Sequence, residues 1–408
     1  MPVFISSIPN TTEEDLKIAQ GIVNESINAN GSICKLKKIF SAHYPDSELY
    51  YFNRGRDSIH FFLQNLNLQS GDEIILQGFT CIAVVAPILW AKCIPIYTDI
   101  SRDTFNMNID ELKEKISQKT RVIIVQHTFG NIANIKRIRD IVNEENSNRV
   151  EGEKIYILED CAHLLDFNNN EIGKYSDAFL FSFAQDKSIS STQGSLIAIK
   201  KSNTLREKFK NSYEHVPNLS PEEALYNAKY ILYWDRIKRY YFTKIISSRV
   251  TVGKILLIWY RFVGKIRKQA SADSGRYNGI HKMSETQARL LLAQLNSLGS
   301  FNQNRISISL IYGKKFGGTM LRYPILVKNP MELKGKLRDI GIISGSWYST
   351  PVFPISWDCL KSIGYKIGDC PEVEFCSKHI VNLPTNIEVN KDSAREIMEV
   401  VNRYAKFI

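Results

Sequence analysis

Ile155-Tyr156-Ile157-Leu158-Glu159-Asp160-Cys161-Ala162-His163 and Ala178-Phe179-Leu180-Phe181-Ser182-Phe183-Ala184-Gln185-Asp186-Lys187 are two apolar runs; the first leads to an aspartate, the second to a lysine 27 positions later. Apolar and aromatic residues fill both, and Gly173, Lys174 and Asp177 punctuate the gap, so both read as short buried strands. Neighbouring strands that end in Asp and Lys present both side chains at one sheet edge, where open α/β sheets bind ligands.

Those residue types are the ones pyridoxal phosphate chemistry needs. A lysine amine holds that cofactor as a Schiff base, and a carboxylate beside the pyridine nitrogen keeps the ring protonated as an electron acceptor. Lys187 and Asp160 match these roles, His163 is placed to cover the ring or bond its phenolic oxygen, and Ser182 offers a hydroxyl to the phosphate. Taken singly, each has an ordinary structural explanation: a helix-capping Asp160, a solvated Lys187, a satisfied core His163. The ordered set points to the cofactor.

The same residues resemble the DegT/StrS-type sugar aminotransferases, which show an Asp-small-Ala-Gln/His run before a Ser-Phe-x-x-x-Lys run. Here these stand as Asp160-Cys161-Ala162-His163 and Ser182-Phe183-Ala184-Gln185-Asp186-Lys187. The likeness continues in order through Gly55-Arg56-Asp57, Gly71-Asp72-Glu73-Ile74-Ile75, Gly78-Phe79-Thr80-Cys81 and Gln126-His127-Thr128-Phe129-Gly130. Further on come Met283-Ser284-Glu285-Thr286-Gln287-Ala288, Trp347-Tyr348 and Val381-Asn382-Leu383-Pro384-Thr385, so the resemblance spans about residues 45–205 and 275–400.

The resemblance implies a fold type I α/β architecture with a mostly parallel central sheet. Residues 1–300 would form a large cofactor-binding domain, including a basic aromatic insertion at about 228–272, and residues 301–408 a smaller α+β domain. The length agrees with two cores, and the alternation of apolar strands with helical stretches from 50 to about 205 agrees with a covered parallel sheet. A helix opening at Thr11 or Thr12 and another over Ser58–Leu66 are expected. Seven scattered cysteines, without a Cys-x-x-Cys pattern, and no signal peptide at the N-terminus suggest a reducing cytoplasm and no metal site.

Beside Lys187, Asp160 and His163 as catalytic residues, Gly55, Arg56, Asp57, Phe79, Cys81, Ser182 and Asn278 are expected at the cofactor, with Trp347 and Tyr348 as substrate contacts. Three positions depart from the family pattern. Cys81 stands where an aromatic often stacks on the ring, leaving Phe79 or His163 to compensate. Asn278 lies two places early for the Asn that reaches a neighbouring subunit's phosphate, with Lys282 as a charge substitute, and Ser195 replaces a common glycine.

Residues 230–270 carry ten Lys or Arg against Asp235 alone, a local +9 in a chain whose formal charge is +11. Ile255, Ile258, Trp259, Phe262, Val263 and Ile266 fall on one helical face, with Lys254, Arg261, Lys265 and Lys268 largely elsewhere. Such a segment suits an anionic membrane surface, or an apolar contact with the enzyme or a second subunit; nucleic acid is not expected.

The resemblance therefore implies a homodimeric aminotransferase, and the cysteine pattern a cytoplasmic one, peripheral on the inner membrane face if the basic segment binds lipid. It would move an amino group from glutamate to a nucleotide- or lipid-linked keto sugar for polysaccharide or glycoside synthesis. Two alternatives stand beside it. One is a sugar dehydratase with the same cofactor, which would carry histidine in place of Lys187; the other is a non-catalytic sensor of the same fold.

Overall fold

The computed structural model describes residues 3–8, 10–245, 250–266 and 277–408. Arg249, Arg267 and Lys268 of the basic segment lie outside the described residues. The central sheet has seven strands in the order Ser47–Phe52, Ser195–Lys200, Ala178–Ser182, Tyr156–Asp160, Thr120–Gln126, Glu73–Gln77, Ile94–Thr98. Ser195–Lys200 pairs antiparallel with both neighbours, and every other pairing is parallel.

Cover on both faces explains the continuous apolar runs, because successive side chains enter different cores. Leu158, Leu180 and Ile197 pack with Ile59 and Phe62 of the helix Gly55–Gln64. Phe179, Phe181 and Leu196 pack with Leu291 and Phe301 on the other side. Each such side chain, fully buried, contributes about 1.5–3 kcal/mol.

This alternation sets what reaches the sheet edge. Asp160 stands opposite Leu180 in the parallel register, so Asp160 and Ser182 share one face. The second apolar run departs from expectation here: its strand stops at Ser182 rather than at Lys187. Phe183 donates its backbone N–H to Gly194, and the Lys187 N–H turns back to the Ala184 carbonyl at 3.1 Å, so Lys187 occupies a turn beyond the strand.

The helix expected over Ser58–Leu66 begins three residues earlier, at Gly55, and ends at Gln64. Ser195 explains the early start. Its Oγ donates to the Arg54 carbonyl at 2.8 Å and lies 2.7 Å from Ser58 Oγ, fastening the first helical turn to the adjacent strand. Near the N-terminus Thr12, rather than Thr11, caps the helix Glu13–Val23 in a capping box with Asp15.

The expected boundary at residues 300 and 301 falls within the helix Leu298–Tyr312. Beyond it, Arg322–Leu326 and Ile380–Pro384 pair antiparallel. Val352–Phe353 pairs in parallel with Thr80–Cys81 of the first part, which carries Trp347 and Tyr348 to the edge of the main sheet. The basic segment holds the end of the helix Pro221–Arg239 and the helix Val252–Phe262. Among the described residues, no helix is long and apolar enough to cross a membrane.

Glu159 neighbours Asp160 on the strand and so faces the opposite way. It accepts hydrogen bonds from His127 Nε2, the Gly173 N–H and Ser176 Oγ, each at 2.8 Å. His127 Nε2 carries the proton, since Nδ1 accepts from the Ala133 N–H at 3.0 Å. Glu159→Ala would strand three buried donors, each costing about 1–3 kcal/mol. Urea unfolding is expected to show a loss of about 3 kcal/mol or more, and a loss below about 1 kcal/mol would contradict this account.

Candidate active site

A cavity of about 630 Å³ opens at the C-terminal edge of the sheet. Asp160, Ser182 and Lys187 line it from the strands and the following turn, and Gly55 and Arg56 line it from the helix start. A Cβ built on Gly55 would sit 3.5 Å from Ser182 Oγ, so the absent side chain leaves a recess between the helix and this hydroxyl. The first backbone N–H groups of a helix have no intrahelical acceptor and attract anions. With Arg56 in the wall, this end of the cavity suits a phosphate.

Asp160 is 3% exposed, and its carboxylate accepts one hydrogen bond, from the Ala162 N–H at 2.9 Å, among the described residues. Burial pushes its carboxyl above the ordinary value, while that hydrogen bond and the charge of Lys187 pull it back. The Lys187 ammonium lies 4.5 Å from the centroid of Trp347, within cation–π range.

His163 stacks on Trp347 at 5.1 Å with 16° between the ring planes. Both its nitrogens are engaged: Nδ1 accepts from the Phe129 N–H at 3.1 Å, and Nε2 lies 3.2 Å from the Tyr348 hydroxyl. Burial, then the charges of Lys187 and Arg322, hold its pKa well below the usual range. The ring is therefore neutral, with the proton on Nε2 and directed to Tyr348. Covering a cofactor ring would require Trp347 to move from the His163 face, and bonding a phenolic oxygen would require Tyr348 to be displaced.

Cys81, Asn278, Trp347 and Tyr348 also line the cavity, as expected from the sequence. Cys81 caps the helix Ile82–Trp90, its Sγ accepting from the Ala83 N–H at 3.5 Å, and burial raises its pKa so that it stays a thiol. Asn278 reaches the cavity of its own chain, beside Gly279, whose carbonyl accepts from Arg54 Nη2 at 3.2 Å.

Asp57 and Phe79 do not line the cavity. About 100° of helical rotation per residue turns Asp57 away from the wall occupied by Gly55 and Arg56, into a buried pair with Arg54 at 3.0 Å. Phe79 packs edge-on behind Tyr348, with centroids 5.2 Å apart, so Tyr348 is the aromatic that the cavity meets. Lys282 also points elsewhere: its amine donates to the Glu214 carbonyl at 3.2 Å.

Other residues reach the site that the sequence reading does not assign to it, Gln126 standing only within a family-like run. Gln126 lines the wall and accepts from Thr80 Oγ1 at 2.9 Å. Tyr230, from the helix Pro221–Arg239, bonds Gln185 through its hydroxyl. Arg322, 2% exposed, lies 3.2 Å from the Trp347 centroid and 3.5 Å from Asp186, with burial bringing its pKa down to about 10. The residues present fit pyridoxal phosphate: a recess for phosphate at one end, a lysine amine, and an under-bonded buried carboxylate that a protonated ring nitrogen would complete.

A seven-stranded, mostly parallel sheet with this edge defines the fold type I class. The family model described as the DegT/DnrJ/EryC1/StrS aminotransferase family matches residues 10–216, and the chain belongs to that family, whose members depend on pyridoxal phosphate. The chain is similar to the GDP-perosamine synthase of Vibrio cholerae, 27% identical over 147 residues that cover 36% of this chain and 38% of the relative. Among solved structures it resembles the PLP form of the putative sugar aminotransferase Spr1654 from Streptococcus pneumoniae, with TM-score 0.71, 19% identity and 99% of each chain covered. Helicobacter pylori PseC, an aminotransferase involved in the biosynthesis of pseudoaminic acid, gives TM-score 0.70 at 17% identity, again over 99% of each chain.

The Asp160 environment has a pH signature in the cofactor-free protein. Its folded pKa is raised above the unfolded value, so the charged form costs stability at neutral pH and the cost vanishes once the unfolded carboxyl is also protonated. Asp160→Asn is therefore expected to raise the cofactor-free Tm at pH 7, with the gain fading as pH falls towards about 4. A variant less stable than wild type at pH 7 would overturn this electrostatic assignment.

Proposed function

We propose that this chain transfers an amino group from an amino acid, glutamate in this reading, to the carbonyl carbon of a keto sugar carried on a nucleotide or a lipid. The observation that carries the reading is a lysine amine and a buried carboxylate in one cavity whose other end is a glycine-walled helix start. The likeness to GDP-perosamine synthase supports a sugar-nucleotide acceptor. The first half-reaction would release a 2-oxo acid, and the second would deliver the amine to the ketone. The product is an amino sugar for a surface polysaccharide or a specialised glycoside.

Pyridoxal phosphate, held by Lys187, Arg56, Ser182 and the Gly55 helix start, would supply an electron sink for a carbanion at the donor α-carbon. Asp160 stabilises a positive charge beside it. Lys187 Nζ would accept the α-proton of the donor and return it. His163, neutral and fixed through Nε2 to Tyr348, orients rather than transfers protons. In this reading the enzyme works as a homodimer in the cytoplasm, peripheral to the membrane when its acceptor is lipid-linked.

Borohydride reduction and peptide mapping are expected to find the cofactor on Lys187, and Lys187→Ala is expected to abolish amine transfer. An adduct on another lysine would refute the assignment. Cofactor on Lys187 without transfer from glutamate to any keto sugar would leave a binding protein. Asp160→Asn, losing a charge-assisted interaction of about 1.5–3 kcal/mol, is expected to slow single turnover with glutamate roughly tenfold to a hundredfold.

A further inference from the structure

The helix Val252–Phe262 is apolar on two sides, and the protein uses one of them. Tyr260 is 1% exposed and, with the partly buried Leu256 and Leu257, packs into the cluster formed by Ile231, Trp234 and Ile237 of the helix Pro221–Arg239. Gly253 belongs to the same inner side, where a Cβ would collide with the Tyr241 backbone, so the helix is seated closely. Ile266, expected on the apolar outer face, instead joins this buried cluster.

The outer side is left in solvent. Ile258 is 68% exposed and Phe262 89%, with Ile255, Trp259 and Val263 between 43% and 47%. Phe242, Ile245 and Val250, from the chain leading into the helix, are exposed as well. A helix hydrophobic all round is ordinarily buried, so packing on the enzyme accounts for the inner face and leaves the outer one without an occupant among the described residues.

Charge says what the occupant is. Lys254 and Arg261, seven residues apart on the helix, form an edge beside Ile258; Lys265 follows the helix end, Lys244 bridges to Thr251 at its start, and Arg236 Nη1 donates to the Tyr260 hydroxyl at 3.1 Å. None of these five has an ion pair among the described residues. In contrast, Lys238 is tied inward to Glu388 at 2.6 Å, and Arg239 is paired with Asp235 at 2.8 Å. The Lys265 ammonium lies 4.9 Å from the Trp259 centroid and 5.5 Å from those of Tyr233 and Tyr260, within cation–π range of all three. A second copy of this chain would set the same cations against each other across a two-fold axis.

We propose that the outer face of Val252–Phe262, with its flanking cations, docks on an anionic lipid bilayer: Ile258, Trp259 and Phe262 enter the acyl boundary while the Lys and Arg side chains meet the headgroups. This surface stands on its own exposure and charge and does not depend on the aminotransferase reading.

The test is co-sedimentation of the full-length, cofactor-loaded protein with vesicles of phosphatidylcholine alone or mixed with phosphatidylglycerol. Binding is expected to the mixed vesicles, and to weaken as salt shortens the screening length from about 10 Å at 0.1 M to about 3 Å at 1 M. Ile258→Ser with Phe262→Ser is expected to weaken binding by about tenfold or more. Lys254→Glu with Arg261→Glu is expected to weaken it by about twentyfold or more, at about fivefold for each cation removed. Melting temperatures equal to wild type would show that both double variants are folded. Failure to bind either vesicle, or equal binding to both, would overturn the proposal. So would sedimentation velocity showing that the serine variant loses a self-association while vesicle binding is unchanged, which would assign the face to a second copy.

Discussion

A carboxylate buried beside an ammonium, with fewer hydrogen bonds than its charge demands, is the interaction on which the cavity is organised. A charged group taken out of water is tolerated when partners replace its hydration. Glu159 and Asp160 are adjacent on one strand and meet this requirement differently. Glu159 collects three donors and closes a buried network beneath the sheet edge. The Asp160 carboxylate has one backbone donor among the described residues and relies on the charge of Lys187 for the remainder of its compensation. The pleat sends one acid to the back of the sheet as structure and the other into the cavity, as a place prepared for a cation.

The elements that end at this edge were legible because their patterns are local. Buried strands announce themselves as apolar runs, and the Asp160 and Ser182 strands do pair as neighbours. The Lys187 turn was harder, since Phe183 extends the apolar run beyond the ladder; only its bond to Gly194, eleven residues on, shows where the strand stops. Asp57, expected through the helix-start turn, and Phe79, expected in place of an aromatic at 81, have side chains that helical rotation and the intervening Tyr348 keep off the cavity wall. Arg322 had no local signature at all. It reaches Trp347 because the strand pairings of the C-terminal part bring residues far apart in sequence to one edge.

The basic segment shows where periodicity runs out. Counting every third and fourth residue found the outer face of Val252–Phe262, but Gly253, Leu256, Leu257 and Tyr260 obey the same spacing half a turn away. Period alone cannot tell which of two apolar faces a protein buries; the close approach at Gly253 and the contacts of Tyr260 decide it. The helix Pro221–Arg239 then links the two ends of the molecule's chemistry. Its Tyr226, Asn227 and Tyr230 line the cavity, whereas its Ile231, Trp234 and Ile237 support the exposed helix. From Tyr230 to Arg239 the axis rises about 14 Å. A rigid element of that length sets a fixed short distance between the cavity and the exposed apolar face.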